Sequence, residues 1–296
     1  MRLAIFDDHR LGVVIGDDVV DVTQVLPWPH TSDPLLAGWW RGLCRDFAAL
    51  APALEEAAGS GPRRPLRSVR LAAPVLGPTK IIASASNYRE HVAEMHAVQR
   101  RTLGQVESWM MEFDVFLKAP SSIVGPEDAI VLPRDVLTAG SEIHHESELV
   151  VVIGTGGKDI AVEDALEHVL GYTIGLDITV RSPADRSRRK SYDSFSPLGP
   201  WLTTSDEAGD PADFDILLTC NGERRQAVNT SALITPVPQI IAYASRMMTL
   251  NPGDVIFTGA PPGVGPIVPG DVLDTSISRL GAMTLPVLAE GPAGSG

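Results

Sequence analysis

From Leu76 onward the chain never stays apolar for long before proline or glycine interrupts it. Seven short runs rich in β-branched residues stand between these breaks: KIIASAS (80–86), AIVLP (129–133), ELVVVIG (148–154), LGYTIGLDIT (170–179), DILLTCNG (215–222), DVIFTG (254–259) and DVLDTSI (271–277). Runs of this length between turn residues read as strands, and they exclude a helical bundle. Helical spacing is confined to stretches near 91–111, 161–169 and 236–249. The expected fold class is therefore α+β and predominantly β. Ahead of this region, residues 1–26 alternate apolar and polar around turn signals, and 34–60 carry Leu, Ala and Trp at helical spacing until GSGPRRP (59–65) breaks the pattern. A small N-terminal β/α domain over 1–70, with a linker or boundary at 59–65, is predicted to precede a larger domain over 71–290. The GPAGSG tail is predicted to be disordered over 291–296.

Charge and cysteine content narrow the function. With 24 basic and 37 acidic residues the formal net charge is −13, which argues against a nucleic-acid partner; the basic run RSRRK (186–190) runs against that balance and needs its own explanation. No window approaches the roughly 18 uninterrupted apolar residues of a membrane span, and MRLAIFDDHR meets acidic residues before a signal-like core could form. The lone cysteines Cys44 and Cys220 have neither disulfide nor metal-site spacing. A cytoplasmic protein without a membrane or nucleic-acid partner is expected.

Several stretches could carry chemistry. In HHESELVVVIG (144–154), Glu146 and Glu148 are two residues apart, so on one strand they would project from the same face. Two close carboxylates repel unless a cation or several donors compensate. A solvated strand end shows the same pattern, but Asp177 follows a second apolar run and could close a three-carboxylate site. Oxygen ligands select Mg²⁺, Mn²⁺ or Ca²⁺ over zinc, and the H-E-x-x-H route to zinc fails because Leu149 occupies the second histidine's place. His144 and His145 are then support rather than ligands. In SNYREHVAEM (86–95), His91 and Glu94 are one helical turn apart, the spacing of a carboxylate that orients an imidazole base and also of an ordinary surface ion pair. IGTGGKD (153–159) fails as a phosphate loop, with Asp159 in place of the hydroxyl residue and Val152 in place of the first glycine. Lys190 could neutralise an oxyanion, and NPGDVIFTGAPPGVG (251–265) reads as a strand followed by a backbone loop able to approach an anion.

In order, KIIASASNYREHVAEM, FLKAPSSIVGPEDAIVLP, HHESELVVVIG, GYTIGLDITVR, KSYDSFSPLGPWL and NPGDVIFTGAPPGVG resemble the fumarylacetoacetate hydrolase family, over residues 76 to 276 and most closely its acylpyruvase and ring-cleavage-product branch. The resemblance implies a mixed β-roll catalytic domain, a homodimer, and Mg²⁺ or Mn²⁺ held by Glu146, Glu148 and Asp177. It also implies a small-molecule 2-oxo or 2,4-dioxo acid as substrate. His91 and Glu94 match the family's water-activating dyad, Lys190 its oxyanion-stabilising lysine, and Arg181, Gly259 and Ala260 fall at its substrate-binding positions.

The implied activity is hydrolysis of a C–C bond in an acylpyruvate-like acid, of the kind used in aromatic catabolism. The segment 97–113 is longer than the family's pattern, and its apolar helical spacing suggests a lid. Two departures bear on the outcome: Ala260 stands where the family loop commonly has Thr or Ser, and Ser182 stands where an acid is common, with no glutamine following it to orient water. Decarboxylation, isomerisation or hydration of a related 2-oxo acid is the alternative within enzymes, and a non-catalytic metal-binding member is the alternative outside them.

Overall fold

The structure, a computed structural model, describes residues 1–103 and 112–291. The elements that matter for the site are, in chain order, β1 (Arg2–Phe6), β2 (Arg10–Ile15), β3 (Asp18–Asp21), α1 (Gly38–Ser60), β4 (Arg63–Pro65), β5 (Ile81–Ala85), α2 (Arg89–Leu103), β6 (Asp114–Lys118), β7 (Ser147–Ile153), β8 (Val169–Leu176), α3 (Arg186–Lys190), β9 (Ser196–Thr204) and β10 (Val255–Phe257). The ten strands form one path, β4-β3-β2-β1-β9-β8-β7-β10-β5-β6, and two short strands complete a sheet of twelve. All its pairings are antiparallel except those of β10 with β5 and of Ile123–Val124 with β9.

The continuous apolar run behind Glu148 follows from where β7 lies. It pairs with β8 on one side and β10 on the other, and every residue from Ser147 to Ile153 is buried. Leu149, Val151 and Ile153 enter the larger core, while Val150 and Val152 enter the core shared with the N-terminal unit. A strand covered on both faces has no reason to alternate with polar residues. The larger core also draws on a second sheet of five strands, which includes Asp215–Cys220 and Glu223–Asn229.

The N-terminal unit extends the main sheet directly, because Arg2 and Leu3 of β1 pair with Thr203 and Leu202 of β9. Helix α1 buries Trp39, Trp40, Leu43 and Leu54 in the same core as Val150 and Phe257. The run 59–65 is not an unstructured linker. Its first residues end α1, and Arg63–Pro65 pairs with β3 as the edge strand, where proline at a strand end costs no ladder hydrogen bond. The stretch 161–169 holds only a short 3₁₀ turn, Ala165–His168, since Val169 already opens β8. The helix expected over 91–111 is α2 as far as Leu103; residues 104–111 of that stretch, the middle of the suggested lid, lie outside the described residues, as does the tail from 292. No described helix is long and apolar enough to cross a membrane.

Candidate active site

Glu146, Glu148 and Asp177 converge at the joint between the main sheet and a small three-stranded sheet. Glu146 lies in the break between the strand Ile143–His145 and β7, so the pair is not two residues of one regular strand. Asp177 follows the last residue of β8, and its backbone N–H donates to the Glu146 carbonyl at 2.8 Å, which locks the two breaks together. One oxygen of each carboxylate lies within 4.8 Å of the others, and all three residues are buried.

Cations surround two of the three acids. Lys190 Nζ, at the end of α3, donates to Glu146 Oε2 at 2.8 Å, Asp177 Oδ2 at 2.5 Å and Thr179 Oγ1 at 2.6 Å. Arg181 donates to Glu146 Oε1 at 2.6 Å. Lys118 closes β6 and donates to Asp177 Oδ1 at 2.6 Å and to the Phe195 carbonyl at 2.8 Å. Burial would raise the Glu146 pKa, but Lys190 and Arg181, with His91, hold it well below the ordinary carboxylate value. Burial pulls the Lys118 ammonium down, against the opposing pull of Asp177.

Glu148 differs. Among the described residues it has no ion-pair partner, and it accepts one hydrogen bond, from the Gly259 N–H at 2.6 Å. Burial first, then Asp177 and Glu146, push its carboxyl well above the ordinary range. A buried carboxylate beside two others, all donating oxygen only, fits a hard divalent cation, which would supply the missing compensation.

A cavity opens above this cluster, its wall including Glu146, Arg181, Lys190, His91, Ala260 and Ser84. His91 Nδ1 faces Glu94 Oε2 at 3.4 Å, and the same oxygen accepts the Gly263 N–H at 3.2 Å. The dyad carboxylate is thus fixed by the glycine loop after β10. Gly263 has φ +90°, and a Cβ there would meet the Arg225 carbonyl oxygen at 1.9 Å, so only glycine fits. Of the expected substrate-binding positions, Arg181 and Ala260 are on the cavity wall. Gly259 is not on it, since its N–H is directed at Glu148. Ala260 packs its methyl with Met95 and Val264, so the wall is apolar where a hydroxyl is common.

His144 and His145 are buried and outside the carboxylate cluster. His144 pairs with Glu142 at 2.9 Å, and His145 faces Gln226 at 3.4 Å. Burial lowers both to about 4, so both are neutral near pH 7. Three further residues emerge only from the fold. Lys118 is a lone lysine with no spacing signal. Asn87 accepts from Thr235 N–H and donates to the Thr235 and Thr258 carbonyls, tying α2 to the loop. Gln226 joins Ser147 to Pro261. The asparagine lay inside SNYREHVAEM and the lysine inside FLKAPSSIVGPEDAIVLP, but neither was singled out there, and Gln226 lay in no motif.

The chain is similar to known proteins along most of its length. The family model for the fumarylacetoacetate hydrolase C-terminal region covers residues 80–288. Maleylpyruvate hydrolase of Aquipseudomonas alcaligenes is 41% identical over 289 residues, covering 97% of this chain and 99% of that protein. The crystal structure of maleylpyruvate hydrolase from Sphingobium sp. SYK-6, in complex with manganese(II) and pyruvate, superposes with a TM-score of 0.85 at 41% identity, covering 98% of this chain and 100% of the other. A 5-carboxymethyl-2-hydroxymuconate delta-isomerase from Mycobacterium smegmatis superposes with a TM-score of 0.72 at 32% identity, again over 98% of this chain and 100% of the other.

Proposed function

Since the chain belongs to the fumarylacetoacetate hydrolase family, we propose that it is a divalent-metal-dependent hydrolase that cleaves a C–C bond in an acylpyruvate-like 2,4-dioxo acid. One observation carries this reading: Glu146 of the carboxylate cluster and His91 of the His91–Glu94 dyad line the same cavity. Glu146, Glu148 and Asp177 would hold Mg²⁺ or Mn²⁺, and such a cation supplies Lewis-acid polarisation of the 2-oxo group and charge for the enolate that departs.

The chain's own residues do the rest. With Nδ1 directed at Glu94, His91 presents Nε2 as the base and takes a proton from water. Hydroxide adds to the 4-oxo carbon, the resulting oxyanion collapses, and the C3–C4 bond breaks with its electron pair passing to C3. A carboxylic acid and pyruvate enolate result, and the proton on His91 is available to C3. Lys190 lies on the cavity wall, but its three ammonium hydrogens are taken by Glu146, Asp177 and Thr179. It reaches an oxyanion only by giving up one of them.

The expected homodimer and cytoplasmic location belong to the same proposal. Two buried, unpaired thiols, Cys44 and Cys220, support a reducing compartment, and light scattering of the purified protein tests the dimer. Activity is tested by incubating the protein with Mn²⁺ or Mg²⁺ and a panel of 2,4-dioxo acids, following pyruvate release. His91→Ala should lower hydrolysis by about 10²- to 10⁴-fold while leaving oxaloacetate decarboxylation unaffected. Absence of pyruvate from every acid, or full activity in His91→Ala, would sink this reading.

A further inference from the structure

The basic run 186–190 faces inward. On α3, residues three and four apart share a side, so Arg186, Arg189 and Lys190 lie on the cavity wall while Ser187 and Arg188 are exposed. Two of the cavity's cations are committed: Lys190 to Glu146, Asp177 and Thr179, and Arg181 to Glu146. Arg189 is not. It is 7% exposed, its Nε has no hydrogen-bond partner, and among the described residues no carboxylate lies within ion-pair distance of it. A guanidinium buried beside other cations is costly unless an anion completes it. Its planar fork suits a carboxylate held through two hydrogen bonds.

We propose that Arg189 reads a second carboxylate, at the end of the acid remote from the 2-oxo group, and so sets the enzyme's preference for dicarboxylic over monocarboxylic acylpyruvates. This rests on the hydrolase reading and adds which acids the cavity selects. The 2-oxo end would be held by the cation that Glu146, Glu148 and Asp177 bind, and Arg189 forms no ion pair with those acids; the partners of Glu146 and Asp177 are Lys118, Arg181 and Lys190. An alkyl tail in the same place would leave the guanidinium desolvated and unpaired, whereas a carboxylate tail completes it.

The test compares a 2,4-dioxo dicarboxylic acid with the monocarboxylic acid in which a methyl replaces the distal carboxylate. Wild-type protein should favour the dicarboxylate in kcat/KM by on the order of 10- to 100-fold. Arg189→Met should remove that preference by lowering the dicarboxylate value, leaving the monocarboxylate within about threefold, and Arg189→Lys should fall between. Equal loss on both acids, or a wild-type protein indifferent to the distal group, overturns the proposal. Binding gives an independent arm: in the presence of Mn²⁺, succinate should raise the wild-type melting temperature more than butyrate does, and Arg189→Met should abolish the difference. If the wild-type protein cleaves neither acid, the hydrolase reading fails, and the succinate–butyrate difference alone decides the subsite.

Discussion

Gln226 is fully buried on the strand Glu223–Asn229, far in sequence from every residue of the site. Its amide oxygen accepts the Ser147 N–H at 2.9 Å, immediately before Glu148, and its amide nitrogen donates to the Pro261 carbonyl at 2.9 Å, immediately after Ala260. One side chain therefore joins the strand that carries a cluster carboxylate to the loop that lines the cavity. Gln226→Ala leaves a buried N–H and a buried carbonyl without partners, each costing about 1–3 kcal/mol, and opens a void besides. The expected loss is about 3–5 kcal/mol in the free energy of unfolding, measured by urea denaturation of the metal-free protein. Cation affinity and kcat should fall as well, because Glu148 and the loop lose a common support. Gln226→Glu should be at least as damaging, since it keeps the acceptor for Ser147 but turns a second acceptor toward the Pro261 carbonyl. A loss below about 1 kcal/mol with cation affinity unchanged would show that water replaces both contacts, and would refute the reasoning.

Three other perturbations have defined outcomes. His144 and His145 bind protons near 6.5 when unfolded and only near 4 when folded; the unfolded chain therefore holds more protons between those values, and stability falls as pH drops through that window. The loss should reach up to about 2 kcal/mol per histidine at pH 5, and unfolding curves of a His144→Gln/His145→Gln variant should be flatter against pH. Removing the cation with a chelator should lower the melting temperature, and adding Mn²⁺ at about 100 times its Kd should restore about 2.7 kcal/mol; Glu148→Ala should show no such shift. Gly263→Ala forces the loop off Arg225 and takes the N–H from Glu94, so kcat should fall by about 10- to 100-fold while Mn²⁺ affinity, read by calorimetry, stays near wild type.

The seven strand-like runs and the order of the motifs were legible in the sequence because both are local. Apolar stretches cut by glycine and proline specify strands wherever they later pair, and titratable residues two or three apart are neighbours before any fold exists. Hence Glu146, Glu148, His91 and Glu94 could be singled out from spacing. Even there the reason needed amending: Glu146 and Glu148 come together across a break between two strands rather than along the face of one.

Pairings distant in the chain were not legible. Lys118 meets Asp177 across 59 positions, Gln226 meets Ser147 across 79, and β1 joins the sheet beside β9 about 200 residues later. No sequence period encodes such contacts, because they depend on how the sheets pack. The run RSRRK makes the same point. By itself it is a patch of positive charge against an acidic background, and only the turn of α3 into the cavity decides that Arg189 and Lys190 face the cavity rather than solvent. Chain-local chemistry fixed which residues could react; burial and long-range pairing, which act only in the assembled fold, decided what each of them faces.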